Sequence, residues 1–166
     1  MERRSFLKSG AAVTGALVTG GMAHASAVSP KAPIAGKHQF KLKYAPHFGM
    51  FRHSAGDDLL DQLQFMADTG FMAMEDNGMK GREVSMQEKI ASKMAKLGME
   101  MGVFVAHTIY WNEPSLTSGK TDKLEQFLTE IKESVDVAKR VNARWMTVVP
   151  GFVDLRRDMD YQTANV

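Results

Sequence analysis

The sequence contains no cysteine. A chain without thiols forms no disulfide framework, and it offers neither a thiolate metal site nor a cysteine nucleophile. Any metal that it binds must therefore be held by histidine, carboxylate or carbonyl groups. The compartment in which the protein works has to be inferred from other features.

The sequence also has almost no excess charge. Its formal net charge of +2 comes entirely from the first 25 residues, in which Arg3, Arg4 and Lys8 are opposed by Glu2. Without that segment the chain is formally neutral. Nucleic-acid binding depends on clustered Lys and Arg that displace counterions from phosphates, so we expect no nucleic-acid partner.

A long apolar run is absent as well. The most apolar stretch, residues 10–22, falls short of the roughly 18 residues that a membrane-spanning helix needs. Three glycines, Gly15, Gly20 and Gly21, also interrupt it. We therefore expect no stable membrane span.

The first 25 residues have the layout of an export signal. Arg3 and Arg4 are followed by the apolar stretch and then by Ala23-His24-Ala25, whose small-x-small form suits signal peptidase. This layout resembles a twin-arginine signal peptide. We therefore expect residues 1–25 to engage the twin-arginine export machinery, and the mature protein to be periplasmic or otherwise exported. Residues 26–39 contain two prolines, and we interpret them as a flexible linker.

Residues 40–166 alternate between strand and helix patterns. Strands are predicted from short apolar or alternating runs at 40–45, 71–74, 102–106 and 145–149. Helices are predicted at 57–69, from 85 to a stop at 98, at 121–141 and from 161 onwards. Each complete helix ends at Gly70, Gly98 or Asn142, directly before the next strand.

Two helix starts and one helix face are specific predictions. Ser85 and Glu88 form a capping box, so Ser85 is expected to cap the second helix. Thr121 is expected to cap the third helix. The residues expected on the apolar face of that helix are Leu124, Phe127, Leu128, Ile131, Val135, Ala138 and Val141.

The sequence is rich in methionine, with 13 residues. Thioethers are soft ligands, and an exported protein with many of them could carry copper. The methionines form no dense cluster in the sequence, however, and Met is a flexible filler of apolar cores. The methionines expected on core faces are Met66, Met72, Met74, Met86, Met94 and Met146.

Four βα units in strict alternation predict an α/β fold with a parallel sheet and right-handed crossovers. Two architectures fit: a complete small doubly wound domain, or part of a (β/α)8 TIM barrel. A doubly wound domain should close with its final helix, whereas the last helix here stops almost as soon as it begins. A complete barrel takes roughly 250 residues. We therefore expect residues 40–166 to form a partial TIM barrel of about four βα units.

The strand ends carry a resemblance to a known family. Four motifs carry it: Tyr44-Ala45-Pro46-His47 at the end of strand one, TGFMAME at 69–75 through strand two, and Val105-Ala106-His107-Thr108 and Val148-Val149-Pro150-Gly151 after strands three and four. In order and spacing they are similar to the hydroxypyruvate isomerase group of the xylose isomerase-like TIM barrels, a family of sugar phosphate isomerases and epimerases. The resemblance covers residues 40–166 and implies the N-terminal half of such a barrel.

The resemblance also implies a function. Members of this family isomerise or epimerise a small hydroxycarbonyl or sugar by metal-assisted proton transfer through an enediolate, with Mn2+ or Mg2+ as the divalent metal. Their metal ligands lie on the last four strands. The resemblance thus implies that this chain binds no metal and is an inactive fragment, with catalytic residues unassigned. The alternative is a noncatalytic sugar-binding or interaction protein on the same scaffold.

Four residues are candidate substrate contacts. His47, Glu75 and His107 follow predicted strands, at the end of the barrel where such enzymes bind substrate. Trp111 could cover the substrate with apolar surface. Each has a structural alternative: the histidines could hold their own loops, Glu75 could cap a turn, and Trp111 could pack. The open edges of the first and fourth strands also predict self-association of the chain.

Overall fold

The structure is a computed structural model that describes residues 40–166. The predicted signal peptide and linker lie outside this range. The helices in it are α1 (Arg52–Ala55), α2 (Leu59–Asp68), α3 (Val84–Leu97), α4 (Thr121–Val141) and α5 (Met159–Ala164). The strands are β1 (Ala73–Met74) and β2 (Glu100–Met101), and short 3-10 turns lie at Met79–Gly81 and Leu116–Ser118. None of these helices combines the length and apolarity required to cross a membrane.

The sheet is parallel and follows the chain order. Strands β1 and β2 lie side by side, and β1 falls within the predicted strand at 71–74. Two isolated parallel bridges extend this pairing, His47 with Glu75 on one side and Val105 with Thr147 on the other. Helices connect these successive parallel segments. The predicted α/β class is confirmed.

The sheet segments are shorter than predicted. Residues 40–45 form no strand, because the Tyr44 amide donates to the nearby Leu42 carbonyl and both side chains are largely exposed. The predicted strands at 102–106 and 145–149 each contribute a single bridge residue. These predictions are wrong in extent, since an apolar or alternating run carries no information about the partner with which a strand must pair.

A bulge interrupts the pairing beyond β1 and β2. The Gly102 amide donates to the Met74 carbonyl at 2.7 Å, and the following bond runs from the Asp76 amide to the Val103 carbonyl at 3.2 Å. An evenly spaced parallel ladder would use Gly102 as that acceptor, so the later segment holds one extra residue. A shift of one residue exchanges the two faces of a strand, and Phe104 is completely buried beyond the bulge.

Helices α2 and α3 form close to their predicted positions. Asp58 caps α2, since its carboxylate accepts from the amides of Leu60 and Asp61. Gly70 and Gly98 have φ angles of 101° and 68° just beyond the two helices. Glycine tolerates such positive values, so both predicted helix stops are confirmed.

The capping-box prediction is wrong. Helix α3 begins at Val84, and Glu83 takes the N-cap position without a side-chain cap bond. The amides of Met86 and Gln87 both donate to the Glu83 carbonyl, which leaves Ser85 exposed in the first turn. The start is set instead by the Gln87 side chain, which bonds carbonyls of the preceding loop.

Helix α4 departs from prediction at its start and on its apolar face. It begins at Thr121, so Lys120 is the N-cap. The residues buried on it are Ser134, Val137 and Val141. The predicted core residues that are instead 39–46% exposed are Leu124, Leu128 and Val135. Within the described range α4 packs against α3 and the two 3-10 turns, which cover only one side of it.

Methionines make up much of the core. Met66, Met74 and Met94 are buried as predicted, whereas Met72 is 44% exposed and that prediction is wrong. The buried cluster comprises Leu63, Met66, Met74, Met79, Ile90, Met94, Met99, Met101, Phe104, Val137 and Val141. Flexible thioether side chains suit the irregular space between short strands and the helices that cover them.

Candidate functional site

His47 and Glu75 lie side by side at the carboxyl end of the sheet. They are bridge partners on adjacent parallel segments, and the Glu75 amide donates to the Pro46 carbonyl at 3.0 Å. Residues directly opposite each other in neighbouring strands project from the same face. The structure thus brings two of the four candidate residues to one edge.

The His47 imidazole has one bonded nitrogen and one free nitrogen. Nδ1 lies 3.0 Å from the Phe48 carbonyl oxygen. Because a carbonyl can only accept, Nδ1 carries a proton, and in the neutral ring Nε2 is then the acceptor. Nε2 has no hydrogen-bond partner among residues 40–166, and the residue is exposed. It is therefore accessible to a ligand.

Glu75 is a partly buried carboxylate without a partner. Its side chain makes no hydrogen bond or ion pair to any residue that the structure describes. The neighbouring Asp76 shows the contrast, since it is buried, accepts from the Gly78 amide and receives two N–H groups from Arg82. A partly desolvated carboxylate that lacks a protein donor is an acceptor available to ligand hydroxyl groups.

Three segments approach one another closely at Gly102, beside Glu75. A β-carbon at this position would lie 3.0 Å from the Met74 carbonyl oxygen, 3.4 Å from the Glu75 β-carbon and 3.5 Å from the Ala45 β-carbon. Three neighbouring segments therefore meet at a glycine. Because glycine has no side chain, the three segments can approach this closely beside Glu75.

His107 follows the third segment but is enclosed, with 7% of the residue exposed. Its Nδ1 lies 2.9 Å from the Thr108 carbonyl oxygen, and its Nε2 accepts from the Val149 amide at 3.0 Å. The ring also packs edge-on against Phe127 of α4, with centroids 5.0 Å apart. Both nitrogens are used within the chain, so His107 links the third and fourth segments.

A cleft of about 410 Å³ opens beside His107. The lysine that lines it, Lys80, is held by two hydrogen bonds and one ion pair. Its Nζ donates to the backbone carbonyls of Ala106 and Glu130 at 3.2 and 2.8 Å, and it pairs with the Glu133 carboxylate at 3.4 Å. Lys80 therefore links the 3-10 turn at Met79–Gly81 to the third segment and to α4.

The Glu130 carboxylate, on the same cleft, is also satisfied. It accepts from the Thr108 amide and from the Gln126 side chain. Burial acts to raise the pKa of Glu130, but these hydrogen bonds outweigh it and hold the pKa below its ordinary value. The charged groups of this cleft thus form an internal network that stabilises the loop after the third segment.

Trp111, the fourth candidate, lines neither this cleft nor the smaller cavity beside it. Its side chain is 69% exposed. The neighbouring Tyr110 is the aromatic residue that packs, with the Lys123 ammonium 4.0 Å from its ring centroid and its hydroxyl donating to Gln126 at 2.9 Å. The aromatic cover expected at Trp111 stays a prediction.

Three buried glutamines were not predicted from the sequence. Gln62, Gln87 and Gln162 are 1–2% exposed, and each bonds backbone groups of the loop before its helix. Each also stands four residues after the N-cap residue of its helix, which is acidic in all three cases. The three helix starts thus share one pattern: an acidic residue, an apolar residue, two further residues and then Gln. Comparison of the helix starts in the sequence would have found it.

Residues 40–166 contain no group of three or more His, Asp or Glu side chains that could hold a metal. The structure therefore gives no set of side chains to which the Mn2+ or Mg2+ implied by the family resemblance can be assigned. We assign no chemical step to a metal.

Comparison of the chain with protein-family models, with curated proteins and with solved structures found no significant match. The fold and the site define an α/β protein with a parallel sheet. Of the four candidate residues, His47 and Glu75 have polar groups that are unpaired within residues 40–166, at the carboxyl end of the first two segments.

Proposed function

We propose that residues 40–166 form an arc of a (β/α)8 TIM barrel of the hydroxypyruvate isomerase-like family. The order of the segments supports this proposal, because each one lies beside its predecessor and successor in the chain. When segments follow one another across the sheet in chain order and the crossovers are right-handed, every helix lies on the same face of the sheet, as in a barrel. A doubly wound domain reverses direction at a switch point, and the four described segments contain no reversal.

The function proposed for this arc is to bind a small hydroxycarbonyl or sugar through His47 and Glu75. The observation that carries it is that the unpaired Glu75 carboxylate and the free Nε2 of His47 belong to bridge partners on adjacent segments, at the edge where barrels bind substrates. Both groups accept hydrogen bonds, so together they suit two neighbouring hydroxyl groups of one substrate.

Such binding would orient the substrate for isomerisation or epimerisation through an enediolate. In this proposal His107 shapes the pocket wall, because it holds the fourth segment beside the third. The contribution of residues 40–166 is therefore to bind and orient the substrate.

Titration of the purified chain with glyceraldehyde and with hydroxypyruvate, with and without Mn2+, tests the binding. Glu75→Gln removes the charge but keeps the shape, and we expect the affinity to fall about tenfold, as for a lost charge-assisted hydrogen bond. Glu88→Gln alters an exposed carboxylate on α3 and is the matched control, with unchanged affinity expected. Equal affinities of Glu75→Gln and the unaltered chain would contradict the proposed site.

Proton transfer is tested separately by incubation in D2O. Passage through an enediolate should place deuterium on the carbon that bears the hydroxyl group, faster than in a protein-free control. Binding without this exchange would favour the second candidate, a noncatalytic sugar-binding protein on the same scaffold. Exchange that requires Glu75 would support the isomerase or epimerase.

A further inference from the structure

The peptide unit between Phe48 and Gly49 is held from both sides. Its carbonyl oxygen lies 3.0 Å from His47 Nδ1, and its amide donates to Gln62 Oε1 at 2.7 Å. A peptide unit is planar and trans, so its N–H and C=O groups cannot turn independently. Whatever fixes the Gly49 amide therefore also fixes the acceptor of the His47 ring.

Gln62 is itself firmly placed. It is 1% exposed, and its Nε2 donates to the Gly56 carbonyl at 2.9 Å. Gly49 and Gly56 have φ angles of 91° and 80°, values that other residues rarely adopt. The side-chain amide thus closes the turn that contains α1 at both of its ends.

We propose that Gln62 is a positioning residue that selects the tautomer of His47. By holding the peptide unit between Phe48 and Gly49, it keeps a carbonyl oxygen at Nδ1. The proton is then placed on Nδ1, and Nε2 is left as an acceptor. In the opposite tautomer Nε2 would donate. The preference of this edge for hydroxyl groups rests on the proposed function, whereas the choice of tautomer does not.

Gln87 provides a matched control. It is 2% exposed, stands at the equivalent position of α3, and donates to the carbonyls of Met79 and Arg82. These bonds lie in the loop after the second segment, whereas those of Gln62 lie in the loop after the first. The two residues share type, burial and helix position. They differ in the loop that they hold, and Gln87 Oε1 accepts from the Arg140 guanidinium, whereas Gln62 Oε1 accepts from the Gly49 amide.

Long-range 1H–15N NMR spectra of the imidazole rings report the tautomer directly. In the unaltered chain we expect His47 to be mainly in the Nδ1–H form. Gln62→Met, similar in size but without hydrogen-bonding groups, should shift the ring towards Nε2–H and weaken glyceraldehyde binding about five- to tenfold. Gln87→Met should lower the urea midpoint similarly but leave the His47 signals unchanged. Gln62→Glu, which keeps an acceptor for the Gly49 amide, should retain the original tautomer.

Two results would overturn the positioning role: a Gln62→Met chain that keeps the Nδ1–H form, or a Gln87→Met chain that loses it equally. A tautomer shift with unchanged glyceraldehyde affinity would support the positioning role and count against the binding role of His47. Hydrogen exchange in the unaltered chain gives a test without substitutions. Slow exchange of the Gly49 amide is expected, and rapid exchange would contradict its bond to Gln62.

Discussion

His47 and His107 share a local arrangement and differ in role. Each follows a parallel segment, and each holds its Nδ1 near the carbonyl oxygen of the next residue, at 3.0 and 2.9 Å. They differ at Nε2, which accepts from the Val149 amide in His107 and has no partner among the described residues in His47. The two residues also differ in burial, because His107 is enclosed and His47 is exposed.

The difference shows that a strand-end position does not decide whether a histidine is free to bind. His107 follows a segment that pairs with the fourth segment through Val105 and Thr147, so a backbone amide reaches its second nitrogen. His47 belongs to the first segment, which within residues 40–166 pairs on one side only. We call the third and fourth segments, which His107 links, the closed end of the sheet, and the first segment, which carries His47, the open end.

Removal of the bond that His107 makes should have the largest effect. His107→Leu keeps a buried apolar side chain but leaves the Val149 amide without its acceptor, and we expect a loss of about 2–3 kcal/mol in the free energy of unfolding. His47→Leu at the open end should change it by less than about 0.5 kcal/mol. Urea denaturation followed by circular dichroism measures both. Equal losses would remove the distinction between the two ends.

The next effect concerns α4, which packs against the closed end. Its exposed residues Leu124, Leu128 and Val135 recur at helical spacing and present an apolar face to solvent. We expect the chain to self-associate through this face. Leu128→Lys should weaken the association at least tenfold, since burial of one Leu is worth about 1.5–3 kcal/mol.

Sedimentation measures this association, and Thr129→Lys is its control because it adds the same charge on the exposed neighbour of Leu128. The sequence also predicted association through the open edge of the first strand, but residues 40–45 form no strand, so we expect the open end to take no part in the contact. Dilution should therefore leave the NMR signals of His47 unchanged. If Thr129→Lys weakened association as much as Leu128→Lys, simple charge repulsion would explain the result.

A smaller effect is expected where the first three segments meet. Gly102→Ala would place a β-carbon 3.0 Å from the Met74 carbonyl, an oxygen already bonded to the Gly102 amide. We expect a loss of about 1 kcal/mol, typical of mild overpacking, and weaker glyceraldehyde binding beside Glu75. Gly81→Ala, where the added carbon would meet nothing within 4 Å, should be close to neutral. Unchanged stability and binding in Gly102→Ala would show that the edge is wider than the structure indicates.

The sequence predicted the features of this fold that depend on local chemistry. Gly70, Gly98 and Asn142 ended helices as expected, because a left-handed residue is a local requirement. The strand lengths and the buried face of α4 were not predictable in the same way, since pairing partners and packing neighbours are remote in sequence. Ser85 shows the same limit, because the buried Gln87 overrode a good local capping signal.

Only part of the candidate site could be predicted from the sequence. His47 and Glu75 could be placed at one edge because the carboxyl ends of parallel strands lie together. The commitment of His107 to Val149 could not be predicted, because nothing near His107 in the sequence identifies the amide that its Nε2 meets. Gln62 was missed for a different reason. Its pattern was present, but a polar residue on a helix is ordinarily expected to face solvent.

The smallest effect should come from Glu130, whose carboxylate holds the Thr108 amide at the closed end. Its pKa is lowered in the folded chain, so the unfolded chain binds the proton more readily. The resulting stabilisation is complete above the ordinary glutamate pKa and is lost as the pH falls through the lowered value.

Glu130→Gln keeps an acceptor for Thr108 but cannot titrate. The stability advantage of the unaltered chain over this variant should therefore shrink between pH 5 and pH 3, roughly the range in which a carboxyl group with a lowered pKa titrates. Glu125→Gln, exposed on the same helix, should show no such trend in urea denaturation, and a pH-independent difference for Glu130→Gln would assign its role to shape alone.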